Sequence, residues 1–325
     1  MTSRARVLAA LRGERVYPVP VGVVTQSASL AQMEALGIHW PEAHFEPALM
    51  AGLAEGARTI LGFDLVRVPF DQTIEAELLG AQIHFGDGIT NCSVRSHPLT
   101  FGEPVPGLPD LGAGRAKTVV EAIARLRGGD AAVIGGIVGP FTLVCQLIGV
   151  TEALTNALRR AEALHPYLDF GVEVGMAYAR RQVEAGADAI CIEDMSASLD
   201  LTSPGIYRNL ILPAQQRLIA AIEAPVILHI CGANTRILDL LSATGAALSL
   251  EAKTDLGKAA SACAVIGGVD PVAVLLHGNA EDVRRASAEC LAAGVHILAP
   301  GCGVAPSTPT ENLLEMARVA REWKA

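Results

Sequence analysis

Two short apolar runs in this chain end in side chains able to bind a soft metal. Val226-Ile-Leu-His-Ile-Cys-Gly232 ends on His229 and Cys231, and His296-Ile-Leu-Ala-Pro-Gly-Cys302-Gly303 ends on Cys302. Residues two apart on an extended strand share a face, so the first run delivers an imidazole and a thiol side by side. The second run offers another thiol. Two sulfurs and one imidazole suit zinc, with three protein ligands and an open fourth position. The plainer reading is a buried core histidine with two inert thiols, because free cysteine is among the most buried residue types. On these residues alone both readings stand.

Composition narrows the class of protein that could carry such a site. The chain has 325 residues, of which 51% are hydrophobic and 18% charged, with 32 glycines. That mixture suits a backbone held largely in buried strands and tight turns. The net charge of −9 and the lack of any Lys/Arg-rich stripe speak against a nucleic-acid partner. Seven cysteines are scattered with no CxxC pair, and Met1 to Arg6 lead into an amphipathic pattern rather than an apolar leader. Both features point to a cytoplasmic protein with reduced thiols. Ala131 to Val150 carries no charge, which raises the question of a membrane span. Its Gly135-Gly136, Gly139-Pro140, Thr142 and Gln146 read instead as strand, turn and helix, so no membrane is expected.

The elements that would position the two runs follow from periodicity and capping. Strands are expected at Val19–Val24, Leu65–Pro69, Ala131–Ile137, Ala187–Ile192, Pro225–Ile230, Ala246–Leu250, Val265–Val269 and His296–Ala299. Helical patterns precede or separate them, beginning with Ser3–Leu11 and Pro47–Leu61 and resuming at Thr118–Leu126. Ser27 or Ser29 can cap a helix ending near Gly37. Ser203-Pro204 and Thr308-Pro309-Thr310-Glu311 offer further caps, the last with the acidic residue of a capping box. A hairpin is expected around Gly86-Asp87-Gly88. Eight strands alternating with helices predict an α/β fold, a (β/α)8 TIM barrel spanning 1–325 as one domain, with an N-terminal helical extension and a hairpin insertion. A doubly wound sheet is the alternative, but no glycine-rich dinucleotide loop follows the first strand.

In such a barrel the active site lies at the C-terminal ends of the strands. His229 and Cys231 fall at the end of the fifth expected strand and Cys302 just past the eighth. Asp71, Glu193, Asp194, Glu251 and Asp270 fall at other exits, and Asp71, Glu193 and Asp194 are the substrate-binding candidates. Loops are polar in general, so each carboxylate can equally be a solvated loop residue. His277 and His296 read as structural, and Cys92, Cys145, Cys191, Cys263 and Cys290 as inert.

Several stretches together resemble a known family. They are GVVTQSASLAQMEALGIHWPEA beginning at Gly22, Phe70-Asp-Gln-Thr-Ile-Glu-Ala-Glu77, Gly139-Pro-Phe-Thr142, Leu228-His-Ile-Cys-Gly232, Gly268-Val-Asp-Pro271 and Leu298-Ala-Pro-Gly-Cys-Gly303. They are similar to the cobalamin-dependent methyltransferases of the uroporphyrinogen decarboxylase superfamily, above all to the methylcobamide:coenzyme M methyltransferases. The resemblance implies zinc held by His229, Cys231 and Cys302. It also implies methylcobalamin or a methylated corrinoid protein as methyl donor, and a small-molecule acceptor such as coenzyme M. The decarboxylase branch has a histidine where this chain has Cys302, and an arginine-bearing segment where this chain reads Val23 to Ser29 without arginine. Asp71 does fall where that branch has its substrate-binding aspartate. The expected reaction is therefore zinc-dependent methyl transfer to a thiol. Tetrahydrofolate or homocysteine as acceptor, tetrapyrrole decarboxylation and a silent binding barrel remain the alternatives.

Overall fold

The computed structural model describes residues 1–25, 28–87 and 89–324. Its strands are β1 (Leu65–Val68), β2 (Ile83–His84), β3 (Ser93–Val94), β4 (Ala132–Val138), β5 (Ala189–Glu193), β6 (Val226–His229), β7 (Ala247–Glu251), β8 (Val265–Val269) and β9 (Ile297–Pro300). β1 and β4 to β9 form one sheet in sequential order, and every pair in it is parallel. The sequential order excludes a doubly wound sheet, whose order reverses in mid-sheet. Helices cross between successive strands, including His165–Ala185 before β5, Leu212–Ala221 before β6 and Ala280–Ala292 before β9. This is the parallel α/β barrel that the alternation of elements predicts.

The ring closes through a segment that is barely a strand. Val21 makes an isolated parallel bridge to Leu298 in β9. Leu298 N donates to Pro20 O at 2.9 Å and Gly22 N to Leu298 O at 3.2 Å, while on the other side Asp64 N donates to Val21 O at 2.8 Å. The expected strand Val19–Val24 is thus reduced to one bridged residue. Pro18 and Pro20 bring no N–H to a ladder, and Val21 N donates to the Asp64 side chain at 3.0 Å instead of to a backbone carbonyl.

Strand alternation sorts the barrel into an inside and an outside. Leu65, Ala132, Ile134, Ala189, Cys191, Ile227, Ala247, Ile266, Ile297 and Ala299 form one buried cluster with Val7, Ala10 and Leu11 of the helix Ser3–Leu11. They are the inward residues, and that helix plugs the ring. The intervening strand residues, such as Val66, Val133, Ile190, Leu228 and Leu248, join the larger cluster beneath the surrounding helices. Counting by twos from the inward set puts Arg67, Glu193, His229, Ser249 and Glu251 inside as well. Pairing then sets their heights, because Glu193 lies opposite His229 and His229 opposite Ser249.

Other expectations meet local corrections. Ser29 caps the helix Leu30–Leu36 in a full capping box with Gln32, and Gly37 ends it with φ 62°; Ser27 lies outside the described residues. Ser203 caps as expected, but its helix Pro204–Ile206 runs through a wide turn before continuing as Leu212–Ala221. The capping box at Thr308 does not form. Pro309 is the residue before the helix Thr310–Glu322, and no side chain caps it. β2 and β3 form the expected hairpin across a long loop, in which Asp87 accepts from Thr90 N and Oγ1; Gly88 lies outside the described residues. Among the described residues no single helix is long and apolar enough to cross a membrane. The uncharged stretch from 131 to 150 is β4 followed by the buried helix Pro140–Ile148.

Glu75, on the helix Ile74–Leu78 that follows β1, is fully enclosed, and its Oε1 accepts from Val138 N at the end of β4 at 2.8 Å. Burial pushes its carboxyl up to about 7 against the pull of that hydrogen bond, from an ordinary 4.5. Between those values the folded chain binds the extra proton, so stability falls as pH climbs through the window. We expect Glu75 to contribute a loss of roughly 3 kcal/mol between pH 5 and pH 8 in urea unfolding. Glu75→Gln keeps an acceptor for Val138 and should flatten the slope by that amount. Equal slopes in the two proteins would assign the effect elsewhere.

Candidate metal centre

The inward parity of β6 aims His229 into the barrel mouth, and the chain carries Cys231 out beside it. Cys231 Sγ lies 3.4 Å from His229 Nε2 and 3.8 Å from Cys302 Sγ. The three donors are all within 4.8 Å of one another. A tetrahedral zinc with Zn–S of about 2.3 Å and Zn–N of about 2.0–2.1 Å has S···S edges of about 3.8 Å and S···N edges of about 3.5 Å. Two edges of the cluster therefore have the lengths of edges of that tetrahedron, and the third is within 4.8 Å. His229 is buried while both thiols are half-buried, so the fourth direction faces the mouth.

The loops around the cluster hold it in this shape. His229 Nδ1 faces Ser249 Oγ at 3.1 Å and Ser249 O at 3.3 Å, which leaves Nε2 for the sulfurs. Gly232 has φ 84°, and a Cβ there would lie 2.6 Å from Asp200 Oδ2, so only glycine makes the turn after Cys231. Its N–H donates to Glu251 Oε1 at 2.6 Å. Asn234 Nδ2 donates to Ile230 O at 2.8 Å and to Gly232 O at 3.3 Å, stitching the same turn. Gly301 runs so close to β7 that a Cβ would meet Glu251 Cα at 2.9 Å, and this approach brings Cys302 to the cluster.

The charges are set by the same proximity. The hydrogen bond from Cys231 lowers the Cys302 thiol to about 4, against burial and with help from His229. The same bond raises Cys231, and burial adds to it. Burial opposes a proton on His229, but its contact with Cys302 and the nearby carboxylates raise the imidazole nonetheless. The pair of sulfurs thus holds one negative charge that the imidazole faces.

Behind the cluster lies a buried ion pair. Arg67, inward on β1, binds Glu193 of β5, the strand partner of His229, and its Nε donates to Val24 O at 2.9 Å. Gln72 donates to the other oxygen of Glu193. A Cβ at Gly136 would strike the Arg67 guanidinium, so the glycine in β4 makes the space for it. Burial raises the Glu193 carboxyl, and Arg67 is the main opposing influence.

The remaining candidates are hydrogen-bonded to loops and neighbouring side chains. Asp71 accepts from Thr73 N at 2.9 Å, Thr73 Oγ1 at 2.6 Å and Arg115 Nη1 at 2.7 Å. Asp194 accepts from Thr142 N and Oγ1 at 2.7 and 2.8 Å and from Gln215 Nε2 at 2.8 Å. Asp270 caps the turn Pro271–Leu276 through Val272 N and Ala273 N, and His296 Nδ1 receives Val265 N at 3.1 Å. His277 ends the turn that Asp270 begins. A second donor group, His44, Asp71 and Cys92, also gathers within 4.8 Å. Its carboxylate is already bound by Arg115, and burial pushes the Cys92 thiol up to about 12. Arg67, Ser249, Gln72 and Asn234 are the site residues that sequence reasoning passes over. Only Arg67 carries a visible signal, a cation alone in the apolar run Leu65–Val68.

Comparison with known proteins adds a family to this geometry. The family profile described as Uroporphyrinogen decarboxylase (URO-D) matches residues 2–323. The chain is 38% identical to a methylcobamide:CoM methyltransferase MtbA of Methanosarcina acetivorans, over 99% of this chain and 98% of that protein. It is 36% identical to a methylcobamide:CoM methyltransferase MtaA of Methanosarcina barkeri, over 100% and 99%. A solved methyltransferase from Methanosarcina mazei superposes with a TM-score of 0.94 at 36% identity, covering 99% of each chain.

The ion pair behind the cluster makes a prediction of its own. Arg67→Leu leaves Glu193 buried without its cation and should cost about 3–5 kcal/mol in urea unfolding. Adding Glu193→Leu should return much of that loss, because no uncompensated charge then remains. A double variant as unstable as the single one would locate the cost in packing rather than charge.

Proposed function

The chain belongs to the uroporphyrinogen decarboxylase (URO-D) family, and from that premise we propose that it is a zinc-dependent methyltransferase moving a methyl group from a methylated corrinoid to a thiol, with coenzyme M as the acceptor. The observation that carries this reading is the triangle of two sulfurs and one imidazole nitrogen, two of whose edges, 3.4 and 3.8 Å, fit a tetrahedral zinc site. The methylcobamide:CoM methyltransferases that match over nearly the whole chain support the donor and the acceptor.

His229, Cys231 and Cys302 would hold the ion, and two thiolates with a neutral imidazole cancel its charge. Bound there, the ion would supply a fourth position at which an acceptor thiol gives up its proton near neutral pH. Ser249 keeps the His229 ring turned toward the sulfurs, and the Glu251, Gly232 and Asn234 contacts keep Cys231 at its distance. The Arg67–Glu193 pair beneath them is neutral overall and leaves the charge of the mouth to the cluster itself. In the transfer the acceptor sulfur loses a proton and gains the methyl group. The electron pair of the broken carbon–cobalt bond stays with the corrinoid. A corrinoid is too large to be enclosed here together with a carrier, so a separate corrinoid protein docks at the barrel mouth. The barrel holds acceptor and donor in line.

Two outcomes check this. Metal analysis of the purified protein should find about one zinc per chain, with most of it lost in His229→Ala and Cys302→Ala; full retention in both would remove the site. Cys231→Ser exchanges a soft thiolate for a hydroxyl that stays protonated. It should slow methyl transfer by at least about ten- to hundred-fold with the circular dichroism unchanged. The assay follows loss of methylcobalamin absorbance with a panel of thiols and tetrahydrofolate. A folded Cys231→Ser protein working at the parent rate would sink the mechanism, whereas a tetrapyrrole decarboxylase would tolerate the change.

A further inference from the structure

The contact between Cys231 and Cys302 admits a second chemistry besides metal binding. Their sulfurs stand 3.8 Å apart, and no other pair of cysteine sulfurs among the described residues makes such a contact. Closing to the roughly 2.0 Å of a disulfide asks each sulfur to move by about 1 Å, the scale of a small side-chain rotation. Both thiols are half-buried, whereas Cys145, Cys191 and Cys290 are buried. Cys92 and Cys263 are half-buried too, but the first faces His44 and the Phe85 carbonyl and the second Ser242 and the Ala259 carbonyl, with no second thiol at hand. Access separates the two members of the pair. Cys302, unlike Cys231, forms part of the wall of a cavity of about 340 Å³ that opens beside the cluster. A small oxidant therefore meets Cys302 first.

We propose that Cys302 and Cys231 are also an oxidative modification site, a pair that a hydroperoxide closes to a reversible disulfide when the cluster is metal-free. Cys302 reacts first. Its sulfur attacks the hydroperoxide, an S–O bond forms as the O–O bond breaks, and the peroxide, reduced by two electrons and protonated, leaves as water or an alcohol. Cys231 then attacks the sulfenic sulfur of Cys302. The S–S bond forms as the S–O bond breaks, and the departing hydroxide takes the Cys231 proton and leaves as water. A small dithiol reverses the change by thiol–disulfide exchange, its own two sulfurs being oxidised in turn. Disulfide and metal exclude each other. Zinc needs two anionic sulfurs about 3.8 Å apart, and a disulfide offers neither the charge nor the spacing. A bound ion thus guards the pair, and oxidation bars the ion. The S–S bond itself needs no metal; its effect on methyl transfer rests on the function proposed above.

Hydrogen peroxide added to the full-length protein, chelated with EDTA or supplied with zinc, tests this by mass spectrometry and thiol counting. The chelated chain should lose the mass of two hydrogen atoms, and its seven thiols, counted under denaturing conditions, should fall by two. Peptide mapping should join Cys231 to Cys302, and dithiothreitol should restore both thiols. Zinc should slow the loss by about ten-fold or more. Dimedone, which captures sulfenic acids, separates the roles: Cys231→Ala should leave an adduct on Cys302, and Cys302→Ala none on Cys231. None of these readouts involves methyl transfer. A disulfide that forms equally fast with zinc present therefore overturns the metal site and leaves the pair standing. A chelated parent that keeps seven thiols, gains oxygen instead of losing hydrogen, or joins other cysteines overturns the proposal. Dimedone found on Cys231 in Cys302→Ala but not on Cys302 in Cys231→Ala overturns the order of attack.

Discussion

A polar side chain that points into a closed parallel ring has no water to retreat to, and everything at this site follows from that constraint. The inward positions of β1, β5, β6 and β7 carry Arg67, Glu193, His229 and Ser249, and each must find its partner inside the ring. They do so across the ring: Arg67 reaches past β4 to Glu193 on β5, and His229 meets Ser249 on the adjacent β7. An isolated buried charge would be prohibitive, whereas a neutral, hydrogen-bonded pair is tolerated. The imidazole is thereby set in place before any ligand arrives.

The part of this design that could be read from the sequence is the part governed by local rules. His229 and Cys231 share a face because strand side chains alternate, and the barrel follows from regular alternation of strands and helices. The encounter of Cys302 with Cys231 spans 71 residues and depends on the curvature of the ring. No local rule contains that distance, and the resemblance to a known family supplied it. The partner of Arg67 is hidden for the same reason, since its cation is visible in Leu65–Val68 but Glu193 lies two strands away. Local rules fail where tertiary contacts compete for the same groups. Val21 gives its N–H to the Asp64 side chain, and Thr308 leaves the helix end to Pro309.

The acidic residues at the strand exits carry a related lesson. Their position at the mouth suggests ligands, yet Asp71, Asp194 and Asp270 spend their oxygens on Thr73 and Arg115, on Thr142 and Gln215, and on the turn after β8. A rigid site needs loops that do not move, and a carboxylate accepting several N–H groups is an effective anchor for a loop. Glu251 does this for the turn that follows Cys231. Position at the mouth alone therefore does not separate a residue that faces a ligand from one that holds a loop still.

The junctions of the ring are unequal. Neighbouring strands from β1 to β9 are joined by ladders of three to five paired residues, whereas the step from β9 back to β1 passes through a single bridge at Val21. That step is the least laddered seam of the ring, the kind of join at which local opening is expected to cost least. β9, which leads into Cys302, borders the seam, while β6, which ends on His229 and leads into Cys231, lies well inside the laddered arc. An ion held by all three residues would tie the bordering strand to the arc across the open end, as a clasp closes a bracelet. The energy of its binding would then act on the weakest join of the whole ring.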